Sequence, residues 1–255
     1  MKTVAEQIIR VAHELQALNS LSNSFLAGGT NLALRLNHRR SVDLDLFFAD
    51  QLGQTGFKAI EEEVRRAFHK KITVFQYPCQ LDDEFIFART FIIRDGVTIK
   101  IEILQNMHIT DEIEVIHGLR MASVSDIGLF KLVSAAQRND NKDVYDLDHI
   151  TDHLPLSELM ERLSQKVKRV QGLQKRTIFD LDGSNTPLDD PLVLLNFESP
   201  KAYAGRTKPF HSSSYLEIVD GKEWAVSRHS WRAKVREYIR LLGIDFPKHL
   251  GIDTE

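Results

Sequence analysis

Apolar residues three and four apart open the chain: Val4, Ile8, Val11 and Leu15 share one face of a helix predicted over residues 4–18. The short apolar run Ser24–Ala27 is stopped by Gly28 and Gly29, and a second helix is expected from Asn31 to Leu36. After the turn Asn37-His38-Arg39-Arg40 the period changes. Val42, Leu44 and Leu46 alternate with Asp43 and Asp45, the two-residue repeat of a strand running to Phe48. Val42, Leu44 and Leu46 are expected on a buried face and the two acids on the other. Helical spacing returns at Phe57, Ile60, Val64 and Phe68. Three β-rich runs follow, 72–77, 85–93 and 97–104, the last two joined across Arg94-Asp95-Gly96, a hairpin signal.

From Ser123 the pattern becomes helical and stays so. Leu156, Leu159, Leu163, Val167 and Val170 predict one buried stripe, and a last helix is expected from Trp224 to Leu242. Asp180–Asp190 and Glu198–Ser214 carry the weakest patterning. The expected fold is α+β: a mixed β-sheet flanked by helices over residues 1–120, then a mainly helical region over 121–255.

Composition narrows the class. With 255 residues, 42% of them hydrophobic, the chain can bury a sizeable core. A formal charge of −3 gives no global pull towards nucleic acid or membrane. One cysteine, Cys79, excludes an intrachain disulfide and a paired-cysteine metal knuckle. The N-terminal segment mixes acids into its apolar residues, unlike a secretory leader, and no stretch reaches the about 18 apolar residues of a membrane span. A cytoplasmic protein is expected.

The candidate chemistry lies in the first half. A Gly-Gly-Thr between strand and helix lets the backbone approach a ligand, offers helix N–H groups to a phosphate, and adds the Thr30 hydroxyl as a donor. Two glycines before a helix also make an ordinary tight turn. Asp43 and Asp45 leave the same strand face. Such like charges call for a cation, and Mg²⁺ suits two carboxylates completed by substrate phosphates. Glu102, on the non-core side of the 97–104 strand, is a third carboxylate able to act as a base or complete a second metal shell. Its plainer reading is an exposed acid paired with Lys100.

Gly28-Gly29-Thr30, then Asp43-Leu44-Asp45, then Glu102, resembles the nucleotidyltransferase superfamily related to DNA polymerase β. The fuller string from Gly28 to Phe47 resembles the AbiEii/AbiGii-type toxins of bacterial toxin–antitoxin and phage-defence pairs. A second block, Lys131-Leu132, Arg138 and Lys142-Asp143-Val144-Tyr145-Asp146, matches the same family. The resemblance implies that Asp43, Asp45 and Glu102 bind Mg²⁺, or Mn²⁺ in its place. It implies that Gly28, Gly29, Thr30, Arg39 and Ser41 meet a nucleoside triphosphate. Lys131 and Asp143 would join the catalytic set, Lys131, Arg138 and Lys142 would meet the triphosphate, and Asp143 and Asp146 would orient those cations or touch the base and ribose. By spacing alone, Lys142 and Asp146 stand at i, i+4 and could form a surface ion pair.

The implied activity is transfer of a nucleoside monophosphate to an acceptor, with RNA, tRNA above all, as the expected acceptor and an antitoxin as the expected partner. Residues 161–176 carry a net charge of +5 and residues 222–240 a net of +4, against −3 for the whole chain. Such segregation suits a polyanion. Arg162, Lys166 and Arg169 share the face away from the leucine stripe, which equally describes a solvated helix face. Two other readings stay open: a small-molecule nucleotidyltransferase of the antibiotic-modifying kind, and a nucleotide-binding partner protein without turnover. Trp224 and Trp231, seven apart, suit core anchoring better than base stacking. His38 is placed at a phosphate or as a turn cap, His149 and His153 at a polar helix end, and Cys79 in a structural role.

Overall fold

The computed structural model describes residues 2–81, 83–138, 140–171, 177–181, 186–198 and 215–246. In chain order its elements are α1 (Glu6–Gln16), β1 (Phe25–Ala27), α2 (Gly28–Leu36), β2 (Leu44–Phe47), α3 (Gly53–Phe68), β3 (Ile72–Leu81), β4 (Glu84–Arg94), β5 (Val97–Leu104), β6 (Glu114–Ile116), β7 (Leu119–Met121), α4 (Val124–Gln137), α5 (Asn141–Ile150), α6 (Leu156–Val170) and α7 (Trp224–Leu241). The seven strands form one mixed sheet in the order β3-β4-β5-β2-β1-β7-β6. The pairs β2–β5 and β1–β7 are parallel and the others antiparallel. The fold is α+β, as the sequence pattern predicts.

The sheet is covered on both faces. On one side α1 and α3 bury Ile8, Val11, Leu15, Phe57, Ile60 and Val64 against Leu44, Leu46, Ile101 and Ile103. On the other, α4 to α7 bring Leu129, Leu132, Val144, Leu159 and Trp231 into a core that takes in Phe47, Phe87 and Leu104 of the sheet. Each fully buried large side chain of this kind is worth about 1.5–3 kcal/mol, so helices drawn from both halves of the chain clamp the same strands.

Several expectations shift in detail. The second helix begins at Gly28, not Asn31, so the glycines form its first turn. Val42 is 55% exposed, since it precedes β2 rather than lying in it. The α6 stripe buries Leu156, Leu159, Met160 and Leu163 but ends there, with Val167 44% exposed. The β3 strand runs on to Leu81, and the three-residue hairpin strands β6 and β7 are too short for alternation to announce them. The Asp95-Gly96 turn is confirmed, with both residues at positive φ (51° and 76°) as a two-residue hairpin loop demands. Trp231 is fully buried and its indole N–H donates to the Leu194 carbonyl at 2.9 Å, the anchor its spacing suggests. Cys79 is buried in the core. Part of the basic run at 161–176, and of the weakly patterned stretches at 180–190 and 198–214, lies outside the described residues.

Candidate active site

The parallel strands β2 and β5 run in register, Asp45 opposite Glu102 and Phe47 opposite Leu104. On the face towards α4 each strand therefore begins charged and ends apolar: Asp43, Asp45, Phe47 beside Lys100, Glu102, Leu104. A cleft of about 270 Å³ opens over this face, bounded by the first turn of α2, by α4 and by the start of α5. Its polar end presents Gly28, Gly29, Arg39, Ser41, Asp43 and Asp45, with Lys131, Arg138, Lys142 and Asp143 opposite. Its apolar end is walled by Phe47, Leu104, Met107, Phe130, Ile178 and Phe179.

Gly28 has φ +63°, a left-handed conformation, and a Cβ there would run into the Asp45 carboxylate. A Cβ on Gly29 would lie 2.5 Å from Nη2 of Arg39. The two glycines thus bring backbone against the acid pair and against a cation. Thr30 is buried, and its hydroxyl faces Ser41 Oγ at 2.9 Å and the Asp43 carbonyl instead of the cleft. It ties α2 to the entry of β2.

Asp43 and Asp45 stand at the cleft floor. Burial, then the like charges of Glu102 and Asp43, push the Asp45 carboxyl up to about 7, with Lys100 opposing. Glu102 is buried rather than on an outward face. Its Oε1 accepts from Arg89 Nε at 2.9 Å and Nη2 at 2.6 Å, and its Oε2 lies 3.4 Å from Lys100 Nζ. Lys100 Nζ also stands 3.1 Å from Asp43 Oδ2.

Facing the acids is a buried network. Asp146 accepts from Arg39 Nε at 2.6 Å and Nη2 at 2.7 Å and lies 2.8 Å from Lys131 Nζ. Asp143 accepts from Lys131 at 2.6 Å and from Arg138 at 2.6 and 3.1 Å. Burial alone would raise both acids; the adjacent cations hold them below the usual carboxylate range. Burial likewise works against Lys131 and Arg39, and their carboxylate partners outweigh it and hold both charged. Asp146 takes Arg39 and Lys131 in the interior, not Lys142 on a surface as the i, i+4 spacing suggests. Lys142 lines the cleft, where burial lowers its pKa.

His38 is buried with Nε2 2.8 Å from Asp146 Oδ1 and its ring stacked on Tyr145 at 5.6 Å, so it supports the network. His149 packs on Tyr145 and takes its Nδ1 to the Tyr145 carbonyl at 2.9 Å. Residues 217–220 strap across this region: Arg40 N–H donates to the Glu217 carbonyl, Val219 N–H to His38, and Asp220 N–H to Asn37. No sequence signal marked that strap. Lys166, read as part of a solvated or RNA-facing surface, folds onto Phe130 with Nζ 3.8 Å from the ring centroid, and burial lowers its pKa to about 8.

The donor set fits a hard divalent cation. Asp43, just before β2, and Asp45, within it, both present carboxylates to the cleft, and burial first, then the neighbouring acids, raises the Asp45 carboxyl. Among the described residues no group of three or more His, Cys, Asp or Glu side chains is arranged to hold a metal ion. That is compatible with an ion held by two carboxylates and completed by substrate phosphates.

A glycine turn pressed against two carboxylates, with buried cations opposite, makes up the candidate active site. The chain belongs to the AbiEii nucleotidyl transferase toxins of type IV toxin–antitoxin systems, whose family model matches residues 15–242. Membership gives it a nucleoside triphosphate substrate and an antitoxin partner. An uncharacterized protein of Aquifex aeolicus (strain VF5) is 25% identical over 184 residues, 72% of this chain and 80% of that one. Among solved structures, the nucleotidyltransferase toxin MenT4 of Mycobacterium tuberculosis H37Rv matches with a TM-score of 0.54 at 16% identity, over 96% of this chain and 85% of its own. That likeness is one of fold. Among the described residues no helix is long and apolar enough to cross a membrane.

Proposed function

We propose that this toxin transfers a nucleoside monophosphate from a nucleoside triphosphate to RNA, with tRNA as the favoured acceptor, in a Mg²⁺-dependent reaction in the cytoplasm. The observation that carries the reading is the division of one cleft into a charged end and an apolar end. The triphosphate lies at the charged end, along the Gly28–Gly29 backbone and between Asp43–Asp45 and the cations Arg39, Lys131, Arg138 and Lys142. The base lies at the apolar end against Phe130 and Phe179, whose rings stack 6.1 Å apart at 14°.

Asp43 and Asp45 would hold Mg²⁺, or Mn²⁺ in its place, which supplies charge neutralisation to phosphate oxygens when bound. Arg39, Lys131 and Arg138 are fixed by Asp146 and Asp143, so their charge is aimed before substrate arrives. An acceptor hydroxyl attacks the α-phosphorus, the bond to the bridging oxygen breaks, and pyrophosphate leaves as the hydroxyl proton is released. Residues 1–120 supply the acids and glycines and residues 121–255 most of the cations, so both regions make one site.

For the acceptor, support comes from α7, where Arg228, Arg232, Arg236 and Arg240 recur every four residues along one side of the helix. Such a ridge suits a phosphate backbone. Lys222, just before this helix, and Lys234, within it, pair with Asp148 and Asp152 at 2.6–2.7 Å, and Arg236 lies over the Phe246 ring at 4.4 Å. The test is incubation of the purified protein with Mg²⁺, each α-labelled nucleoside triphosphate, total tRNA and a panel of aminoglycosides. Label in tRNA is expected. Label confined to the small molecules would contradict the RNA reading, and binding without transfer would contradict turnover.

A further inference from the structure

Three neighbouring strands carry five charged side chains on the face beneath the cleft: Asp43 and Asp45 from the β2 segment, Lys100 and Glu102 from β5, and Arg89 from β4. Register fixes their arrangement. Asp45 pairs with Glu102, Glu102 with Arg89, and Lys100 with Phe91. Lys100, two residues before Glu102, therefore points to the same side and lies beside Asp43.

The distances show what this grid does. Lys100 Nζ sits 3.1 Å from Asp43 Oδ2 and 3.4 Å from Glu102 Oε2, between two of the three carboxylates. The other Glu102 oxygen receives two N–H groups from Arg89, at 2.9 and 2.6 Å. Both Glu102 oxygens thus face fixed cations, and Glu102 is only 4% exposed. A divalent ion bridging Asp43 and Glu102 would have to enter a position already filled by an ammonium group. Asp43 and Asp45 line the cleft together.

We propose that the catalytic centre takes one divalent ion, on Asp43 and Asp45, and that Lys100 supplies the second positive charge from within the protein. Glu102 and Arg89 are positioning residues in this scheme: Arg89 neutralises and orients Glu102, and Glu102 holds Lys100 against Asp43. The inference rests on the reading of Asp43 and Asp45 as the metal-holding pair. It replaces the expectation that Glu102 completes a metal shell.

The test counts ions without relying on turnover. The full-length protein, in excess over each of the four α,β-methylene nucleoside triphosphates in turn, is titrated with Mn²⁺. Bound ions are counted by equilibrium dialysis, and the electron paramagnetic resonance spectrum reports whether they form a coupled pair. Two ions in one such site lie about 3.5–4 Å apart and would couple. One Mn²⁺ per bound nucleotide with no coupled pair is expected for the native chain and for Lys100→Arg. Two per nucleotide, with coupling, are expected for Lys100→Met. A coupled pair in the native chain would overturn the proposal while leaving nucleotidyl transfer intact, and so would Lys100→Met remaining at one ion. Absence of any nucleotide-dependent Mn²⁺ binding would overturn it together with the metal-holding role of Asp43 and Asp45. Should Lys100→Met fail to fold, the native count decides.

Discussion

The Asp146 carboxylate holds one edge of the Arg39 guanidinium, Nε at 2.6 Å and Nη2 at 2.7 Å, across 107 residues of sequence. That bond joins the turn after α2 to the middle of α5, and Lys131 from α4 closes on the same carboxylate at 2.8 Å. Arg39 and Lys131, which line the cleft, are thereby positioned by a fully buried acid behind them. Removing one member of a buried ion network leaves uncompensated charge, at a cost of about 3–5 kcal/mol. Asp146→Ala is expected to lose stability of that order in urea unfolding and to weaken nucleotide binding as Arg39 is released. Unchanged stability with unchanged affinity would show that the network does not organise the site.

Gly28 offers a sharper local test. Its left-handed backbone disfavours any Cβ by about 1–2 kcal/mol, and the added methyl would meet the Asp45 carboxylate. Gly28→Ala is expected to keep the fold by circular dichroism and to lose nucleotidyl transfer at least tenfold. Native activity in that variant would contradict the close packing of the first α2 turn on β2.

The parts of this arrangement that the sequence disclosed share a physical cause. Helix α3 was legible because Phe57, Ile60, Val64 and Phe68 keep an uninterrupted helical period, and all four are buried. That Asp43 and Asp45 reach the same cleft was legible because the two acids are separated by one residue of chain. That Asp45 lies opposite Glu102 was not, because pairing register between distant strands is set by tertiary packing. Lys166 misled because its long apolar stem can bury against Phe130 while its charge marks it as a surface residue. The bonds of Thr30 were not legible because a hydroxyl at a helix start serves a phosphate or a neighbouring strand equally well. Only the structure shows it turned to Ser41 and Asp43.

The Asp45 carboxyl predicts an unusual pH dependence. Burial and Glu102 raise it from the ordinary carboxylate range to about 7, so without metal the folded chain binds this proton more tightly than the unfolded chain. Stability from the protonated form is complete below about pH 4 and is lost as pH rises through about 7. Asp45→Asn removes that loss. In EDTA it is expected to be about 1–3 kcal/mol more stable than the native protein at pH 8 and equal to it near pH 4. Thermal melts at the two pH values check this, and lower stability of the variant at pH 8 would contradict the electrostatic account.

Trp231 tests whether the last helix belongs to the core around the site. Fully buried and bonded to the Leu194 carbonyl, it links α7 to the 3₁₀ helix Pro191–Glu198. Trp231→Ala is expected to cost about 3–5 kcal/mol. A loss below about 1 kcal/mol would indicate that α7 is only loosely attached.

The central claim is nucleotidyl transfer at Asp43 and Asp45, and the fate of two labels tests it most directly. The protein is incubated with Mg²⁺, total tRNA and nucleoside triphosphate labelled in parallel at the α- or the γ-phosphate. The account predicts that α-label enters tRNA while γ-label leaves as pyrophosphate, and that Asp45→Asn abolishes both. Transfer of the γ-label to the acceptor, or full activity in Asp45→Asn, would contradict it.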